Sequence, residues 1–267
     1  WPTRIGKSLM KTFEDLIGFI RKEVNKGIKN IPIPKNPKYL YDPIRYSLKG
    51  NGKRFRSILT HLVGRANKID PDVIMNISLS VELLHNFTLI HDDIMDKDSV
   101  RHGQKTIHEK WDKSSAILAG DGVFALSQII LSSVNNNVMS AYFNKATLEI
   151  CEGQALDKEF ENNDKITESQ YFEMIDKKTG ALLSLSAILG PIYCEIDQEV
   201  ISHYNDFGRN IGRGFQIHDD LLEITSNQDL MGKSLGSDLA EGKQTFMVIR
   251  ARNLFPKKWK EIIIDSK

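Results

Sequence analysis

Two short acidic stretches hold most of the chemistry open to this chain. In Leu89-Ile90-His91-Asp92-Asp93-Ile94-Met95-Asp96, carboxylates fall at i, i+1 and i+4 inside an apolar-periodic segment. Residues four apart share a helix face, so Asp92 and Asp96 point the same way while Asp93 turns aside. Neither carboxylate can neutralise the other, and a cation must relieve their repulsion. Mg²⁺ is suited to this, because it takes oxygen ligands, keeps several waters and shares its sphere with substrate phosphates. A single such motif reads equally as a solvated acidic face. This one recurs: Phe215-Gln216-Ile217-His218-Asp219-Asp220-Leu221-Leu222-Glu223 again sets carboxylates after a histidine on an apolar run. Two acidic faces, each flanked by apolar residues, point to one cavity clamped from opposite walls.

Basic and polar groups are spaced to answer that charge. Lys53, Arg54 and Arg56 follow Gly50-Asn51-Gly52 and precede the apolar run Ile58-Leu59-Thr60-His61-Leu62-Val63. A helix start of that kind offers backbone N–H groups and the positive dipole end to a phosphate, and Arg adds a planar fork. Three cations in four residues are also what a plain surface shows. His85 lies seven residues before Asp92, nearly on its face, as a ligand group or a core histidine. The loop 97–103 is polar and basic and ends in Arg101-His102-Gly103. Lys178-Thr179-Gly180 interrupts helical sequence, and a Gly beside Thr can kink a helix and turn both side chains toward a cavity. The loop Gly232-Lys233-Ser234-Leu235-Gly236-Ser237-Asp238, continuing to Gly242-Lys243, can bring N–H groups and ammonium heads to a phosphate, or serve as a flexible turn.

The elements that must position these groups are helices, because apolar periodicity near 3.6 runs through almost every segment and no convincing alternating strand appears. Helices are expected over 9–28, 39–48, 71–95, 114–133, 139–160 and 198–223. The first turns Phe13, Leu16, Ile17 and Ile20 inward; the 71–95 helix turns Ile77, Val81, Leu84, His85 and Thr88 inward. Segment 114–133 is apolar nearly all round and is therefore central or at a subunit interface. Gln154 and Asp157 are polar positions on a packable helix, and Thr167 with Gln170 makes a capping box. A formal net charge of +1 over 267 residues argues against a nucleic-acid footprint. Cys151 and Cys194 form no disulfide framework or zinc-like spacing and read as buried free thiols of a reducing cytosol. No apolar run is expected to reach a membrane span. The first residues lack an initiator Met and a signal-peptide pattern, as a trimmed start would.

Asp92 to Asp96 with Asp219 to Glu223, Gly52-Lys53-Arg54-Phe55-Arg56, Lys178-Thr179-Gly180 and the Gly232 to Asp238 loop resemble, in order, the motifs of the trans-isoprenyl diphosphate synthases. The likeness covers about residues 41–245. It implies an all-α, single-domain isoprenoid synthase bundle over 1–267 around a deep central cavity, acting as a cytoplasmic homodimer. It implies three Mg²⁺ ions held by Asp92, Asp96 and Asp219, with Asp93, Asp220 and Glu223 in the wider ligand set. Lys178 and Lys233 would neutralise the leaving diphosphate. Lys53, Arg56 and His85 would hold isopentenyl diphosphate, and Arg101 and His102 would serve the two diphosphates. Lys178 and Thr179 would hold the allylic partner (dimethylallyl, geranyl or farnesyl diphosphate), with Gln216, Lys233 and Lys243 also in the substrate set. Phe87, Thr88 and Leu84 would set product length, most like geranylgeranyl synthases of archaeal type.

The chain departs from the family's pattern in carrying Glu223 for Asp, His102 for a second Arg and Ser57 for Pro. It also stops at Lys267 where relatives continue, so an incomplete or short C-terminal part is expected. A farnesyl diphosphate synthase, a class I terpene cyclase and a non-catalytic partner subunit are the alternatives.

Overall fold

The structure is a computed structural model that describes residues 12–50, 52–225 and 242–259, with Glu223 described by its backbone alone. Lys233 and its glycine-spaced loop lie outside these residues. Helices follow one another as α1 (Phe13–Lys29), α2 (Lys38–Ser47), α3 (Phe55–Ala66) and α4 (Pro71–Met95). After two short strands, β1 (Val100–Arg101) and β2 (Gln104–Lys105), come α5 (Ile107–Lys110), α6 (Lys113–Ser132), α7 (Asn137–Phe160) and α8 (Glu168–Ile175). A π-helical turn (Asp176–Gly180) joins α8 to α9 (Ala181–Tyr193), and α10 (Gln198–Thr225) and α11 (Phe246–Leu254) complete the described part.

Local signals set the helix ends. Asp70 accepts the Asp72 N–H and Pro71 opens α4, where its missing N–H and fixed φ cost nothing. Thr167 and Gln170 close the capping box that starts α8. Asp112 and Asn136 cap α6 and α7. The helix α4 then runs between α3, α6 and α9, with Ile74, Ile77, Val81, Leu83 and Leu84 buried.

Two glycines decide how tightly the layers close. A Cβ on Gly153 of α7 would sit 2.2 Å from the Lys178 nitrogen, and one on Gly212 of α10 would sit 2.6 Å from Gly180 Cα. Both helices therefore lie directly against the π-helical turn, and any side chain there would push them off it. That turn is the kink expected at Lys178-Thr179-Gly180: one wide turn rotates the side chains that follow.

Several expectations need correction. Helix α1 buries Ile20, Val24 and Ile28, whereas Phe13, its first residue, is 62% exposed although it lies on the same face. The helix buried all round is α9, while α6 exposes Ile117, Leu118 and Ile129, which leaves a subunit interface, not the centre, as its expected placement. By length and apolar composition α4 and α6 could each cross a membrane, contrary to the expected absence; 56% and 39% of their apolar windows are buried in this fold. Cys151 is exposed and Cys194 partly so, rather than buried. Strands β1 and β2 form an antiparallel hairpin, although no strand was expected. His102 (φ 51°) and Gly103 (φ 73°) turn it, as the favoured two-residue hairpin loop requires; a pair of two-residue strands is too short to show alternation.

Candidate active site

The first acidic motif occupies the C-terminal turn of α4, the negative end of its dipole, with no basic residue in that turn. Three carboxylates there oppose helix stability. Asp96 caps the helix through its N–H to the Asp92 carbonyl, 2.8 Å. Its carboxylate takes Lys158 Nζ at 2.8 Å and Lys243 Nζ at 3.0 Å. Burial would raise this carboxyl, but Lys243 and Lys158, with Lys178 behind them, outweigh it and hold it at about 2. Asp92 Oδ1 is buried without a hydrogen-bond partner; Lys178 Nζ stands 3.7 Å from it.

Lys178 issues from the π-helical turn and donates to Asp157 Oδ2 at 2.6 Å. Burial works against its ammonium, yet Asp92 and Asp157 raise its pKa. Thr179 beside it donates to Gln216 Oε1 at 3.0 Å, and Gln216 Nε2 donates to Asp220 Oδ1 at 3.0 Å.

The opposite wall is α10. Burial raises the Asp219 carboxyl, while His218, Lys53 and Arg56 act to lower it, which brings the start of α3 electrostatically against this motif. Phe55 and Phe215, ring centroids 6.0 Å apart, join the same two elements. Arg56 Nη1 meets His85 Nε2 at 3.2 Å. Burial, then Arg56, Arg101, His102 and Arg54, drive the His85 pKa well down, so the ring is neutral and its Nε2 accepts from Arg56. Lys53 is exposed at the loop before α3, and His102 is exposed at the hairpin turn.

Two expected ligands have other partners. Asp93 pairs with Arg101 Nε, and Arg101 Nη2 also reaches Asp98 at 3.0 Å. Burial pushes Asp93 up to about 6, against the pull of Arg101. Asp220 accepts from Tyr171 Oη at 2.6 Å, Gln216 Nε2 at 3.0 Å and the Phe246 N–H at 3.2 Å. Both are one position off their motif's shared face, which turns them into the protein. Their carboxylates are thus held by Arg101 and by Tyr171, Gln216 and the Phe246 N–H.

Among the length residues, Leu84 is fully buried in the main core cluster, and Thr88 returns its hydroxyl to the His85 carbonyl at 2.8 Å. Phe87 sits edge-on to His91 (centroids 4.8 Å) and tilted on Phe124 of α6 (5.2 Å). Lys158 escaped the sequence reading, since an exposed-phase lysine on α7 shows no periodic signal. Its neighbour Asp157, a carboxylate on a packable helix, was the available clue. Arg56 Nε and Gln154 Nε2 join Asp92 Oδ1 as buried atoms without partners, all on elements that carry this site.

Helices presenting paired acidic motifs opposite lysines and an Arg–His pair define an all-α diphosphate-handling protein. The family model for polyprenyl synthetases matches residues 37–266, and the chain belongs to that family. It is 40% identical over 248 residues to a geranylgeranyl diphosphate synthase of Methanosarcina mazei, covering 91% of this chain and 76% of that one. It is 35% identical over 265 residues to a geranylfarnesyl diphosphate synthase of Natronomonas pharaonis, covering 90% and 76%. The solved geranylgeranyl pyrophosphate synthetase of Geoglobus acetivorans superposes with a TM-score of 0.83 at 38% identity, over 90% of this chain and 77% of that one.

The family implies Mg²⁺, and the donors suit it. Asp92 Oδ1 is a buried carboxylate oxygen with no hydrogen bond, and Asp96 and Asp219 add hard oxygen donors. Among the described residues no three His, Cys, Asp or Glu side chains converge on one point. Such sparse protein ligation is usual for an ion that completes its sphere with water and phosphate oxygens.

Proposed function

We propose that this chain is a Mg²⁺-dependent short-chain trans-prenyltransferase. It condenses isopentenyl diphosphate head-to-tail with dimethylallyl, geranyl or farnesyl diphosphate, giving geranylgeranyl diphosphate and pyrophosphate. The observation that carries this reading is the uncommitted Asp92 Oδ1, facing Lys178, within a site whose other wall holds Asp219, Lys53 and Arg56.

Asp92, Asp96 and Asp219 hold the metal, for which three ions are the family's usual complement; bound Mg²⁺ would neutralise charge on the departing diphosphate. Lys178, Lys158 and Lys243 present ammonium groups to the same leaving group, and Thr179 and Gln216 orient it. Lys233 and Glu223 keep their expected roles as cation and ligand. Lys53, Arg56 and His85 grip isopentenyl diphosphate, with Arg101 and His102 above them. When the allylic C–O bond breaks, the double bond of isopentenyl diphosphate attacks the cation at C1 and forms the new C–C bond. A proton then leaves C2, and released pyrophosphate accepts it. Apolar side chains of α4 exclude water that would quench the cation. Asp93 and Asp220 position Arg101 and Gln216 rather than touching the metal.

Three apolar clusters are linked by shared residues, two of them through Phe87 and two through Tyr204, which supports one domain. Exposed Ile117, Leu118 and Ile129 on α6, with Val138 and Leu148 on α7, support a homodimer through this face. Exposed, unpaired Cys151 fits a reducing cytoplasm. The test is pyrophosphate release by the purified chain. It should require Mg²⁺ and both diphosphates together; release with the allylic substrate alone would favour a cyclase.

A further inference from the structure

Of the cations in Lys53-Arg54-Phe55-Arg56, Arg54 faces away from the site. It stands at the start of α3 with φ 55°, a left-handed backbone that is unfavourable for a bulky residue, and is only 8% exposed. Its guanidinium uses three arms. Nη1 donates to Glu82 Oε1 at 2.7 Å, Nε to Asn25 Oδ1 at 2.8 Å and Nη2 to the Gly50 carbonyl at 2.5 Å. Ser57 Oγ donates to the second Glu82 oxygen at 2.6 Å, so both oxygens of that buried carboxylate are engaged.

The cluster ties together α1 through Asn25, the glycine loop through Gly50, α3 through Arg54 and Ser57, and α4 through Glu82. Its position is the informative part. Arg54 lies two residues before Arg56 and Glu82 lies three before His85. The same two segments are thus joined twice, by Arg54–Glu82 inside the fold and by Arg56–His85 at the cavity. A buried ion pair is weak as a source of stability, since well-packed apolar residues commonly do as well. What it supplies here is a fixed register between a glycine-flanked loop and α4. Cationic ligands placed even an ångström wrong lose much of their effect.

We propose that Arg54, Glu82, Asn25 and Ser57 form a positioning clamp that fixes Lys53 and Arg56 for the diphosphate of isopentenyl diphosphate. The clamp itself touches no substrate, and the inference rests on the function proposed above. It acts on one substrate and leaves the allylic side alone, because the hydrogen bonds that form it run among α1, the glycine loop, α3 and α4.

The test compares Arg54→Lys, Glu82→Gln and Asn25→Ala in the full chain with Ile74→Val, a core change on α4 away from the clamp. Isopentenyl diphosphate binding is measured by calorimetry, KM for both substrates by steady-state kinetics, and Tm by calorimetric scan. Arg54→Lys and Glu82→Gln should weaken isopentenyl diphosphate binding tenfold or more and Asn25→Ala at least threefold, with the allylic KM within twofold of wild type. Ile74→Val should lower Tm while leaving both substrates unchanged. Should Arg54→Lys fail to fold, Asn25→Ala decides, because it removes one arm and keeps the ion pair. Binding within twofold of wild type in folded Glu82→Gln and Asn25→Ala would overturn the clamp, as would an equal rise in both KM values. Wild type that binds isopentenyl diphosphate but never turns over would overturn the proposed function, and the binding series would still judge the clamp.

Discussion

Asp92→Asn separates catalysis from stability, because the structure gives this carboxylate almost nothing to lose in the fold. Its Oδ1 has no hydrogen bond, and Lys178, 3.7 Å away, keeps Asp157 at 2.6 Å when the charge is removed. The pair lost is partly solvated and contributes at most about 1 kcal/mol. Removing a negative charge from the C-terminal turn of α4 returns about 0.3–1 kcal/mol. The two nearly cancel, so stability should change by under about 1 kcal/mol, or less than about 2–4 °C in Tm for a domain of this size. Asn keeps the shape but loses the charge that holds a hard cation. Turnover at saturating Mg²⁺ should fall at least about 100-fold, equivalent to about 2.7 kcal/mol of barrier. The assay is kcat from pyrophosphate release alongside a thermal melt. Near-normal kcat would refute the metal assignment, and a large fall in Tm would refute the claim that Asp92 is there for chemistry.

The remaining predictions follow from individual side chains. His102→Arg should lower KM for isopentenyl diphosphate with the allylic KM nearly constant; an unchanged or raised KM would remove His102 from that site. Phe87→Ala should lengthen the product, read from extracted alcohols, and cost about 3 kcal/mol by the usual aromatic truncation; unchanged length with lower stability would leave Phe87 as core, packed on Phe124. His61 is buried with both ring nitrogens unpartnered, and burial, aided by Arg65, drives its pKa to about 4. Its folded pKa lies below its unfolded one, so its contribution to stability is present above about pH 6.5 and is lost as pH falls toward 4. Asp93, raised to about 6, has the opposite slope over part of that window, so the effect is read by difference. His61→Leu should gain up to about 3 kcal/mol on wild type between pH 6.5 and 4, and a constant difference would contradict the buried neutral imidazole.

Long-range periodicity made much of this fold legible. Pro71 and the uniform apolar stripe fixed α4 at the residues observed, and Thr167 with Gln170 marked the start of α8. The acidic motifs were readable because i, i+4 spacing is a local property of a helix. Which neighbour a side chain chooses was not. Arg54 and Arg56 are alike in sequence, yet a left-handed backbone at Arg54 sends one to Glu82 and leaves the other with His85. Asp93 and Asp220 were turned aside by helix phase, but their partners are set by the fold: Arg101 returns from the hairpin eight residues on, and Tyr171 comes from α8. The π-helical turn was foreseen only as a kink, since its width depends on Gly153 and Gly212 pressing from two other helices.

The central claim is tested most directly by incubating the full chain with Mg²⁺, isopentenyl diphosphate and each allylic diphosphate in turn, then measuring the chain length of the hydrolysed products. Geranylgeraniol, with twenty carbons, should dominate from dimethylallyl, geranyl and farnesyl diphosphates alike. Farnesol as the end product would contradict the length assignment, and no prenyl alcohol longer than the allylic substrate supplied would contradict the enzyme itself.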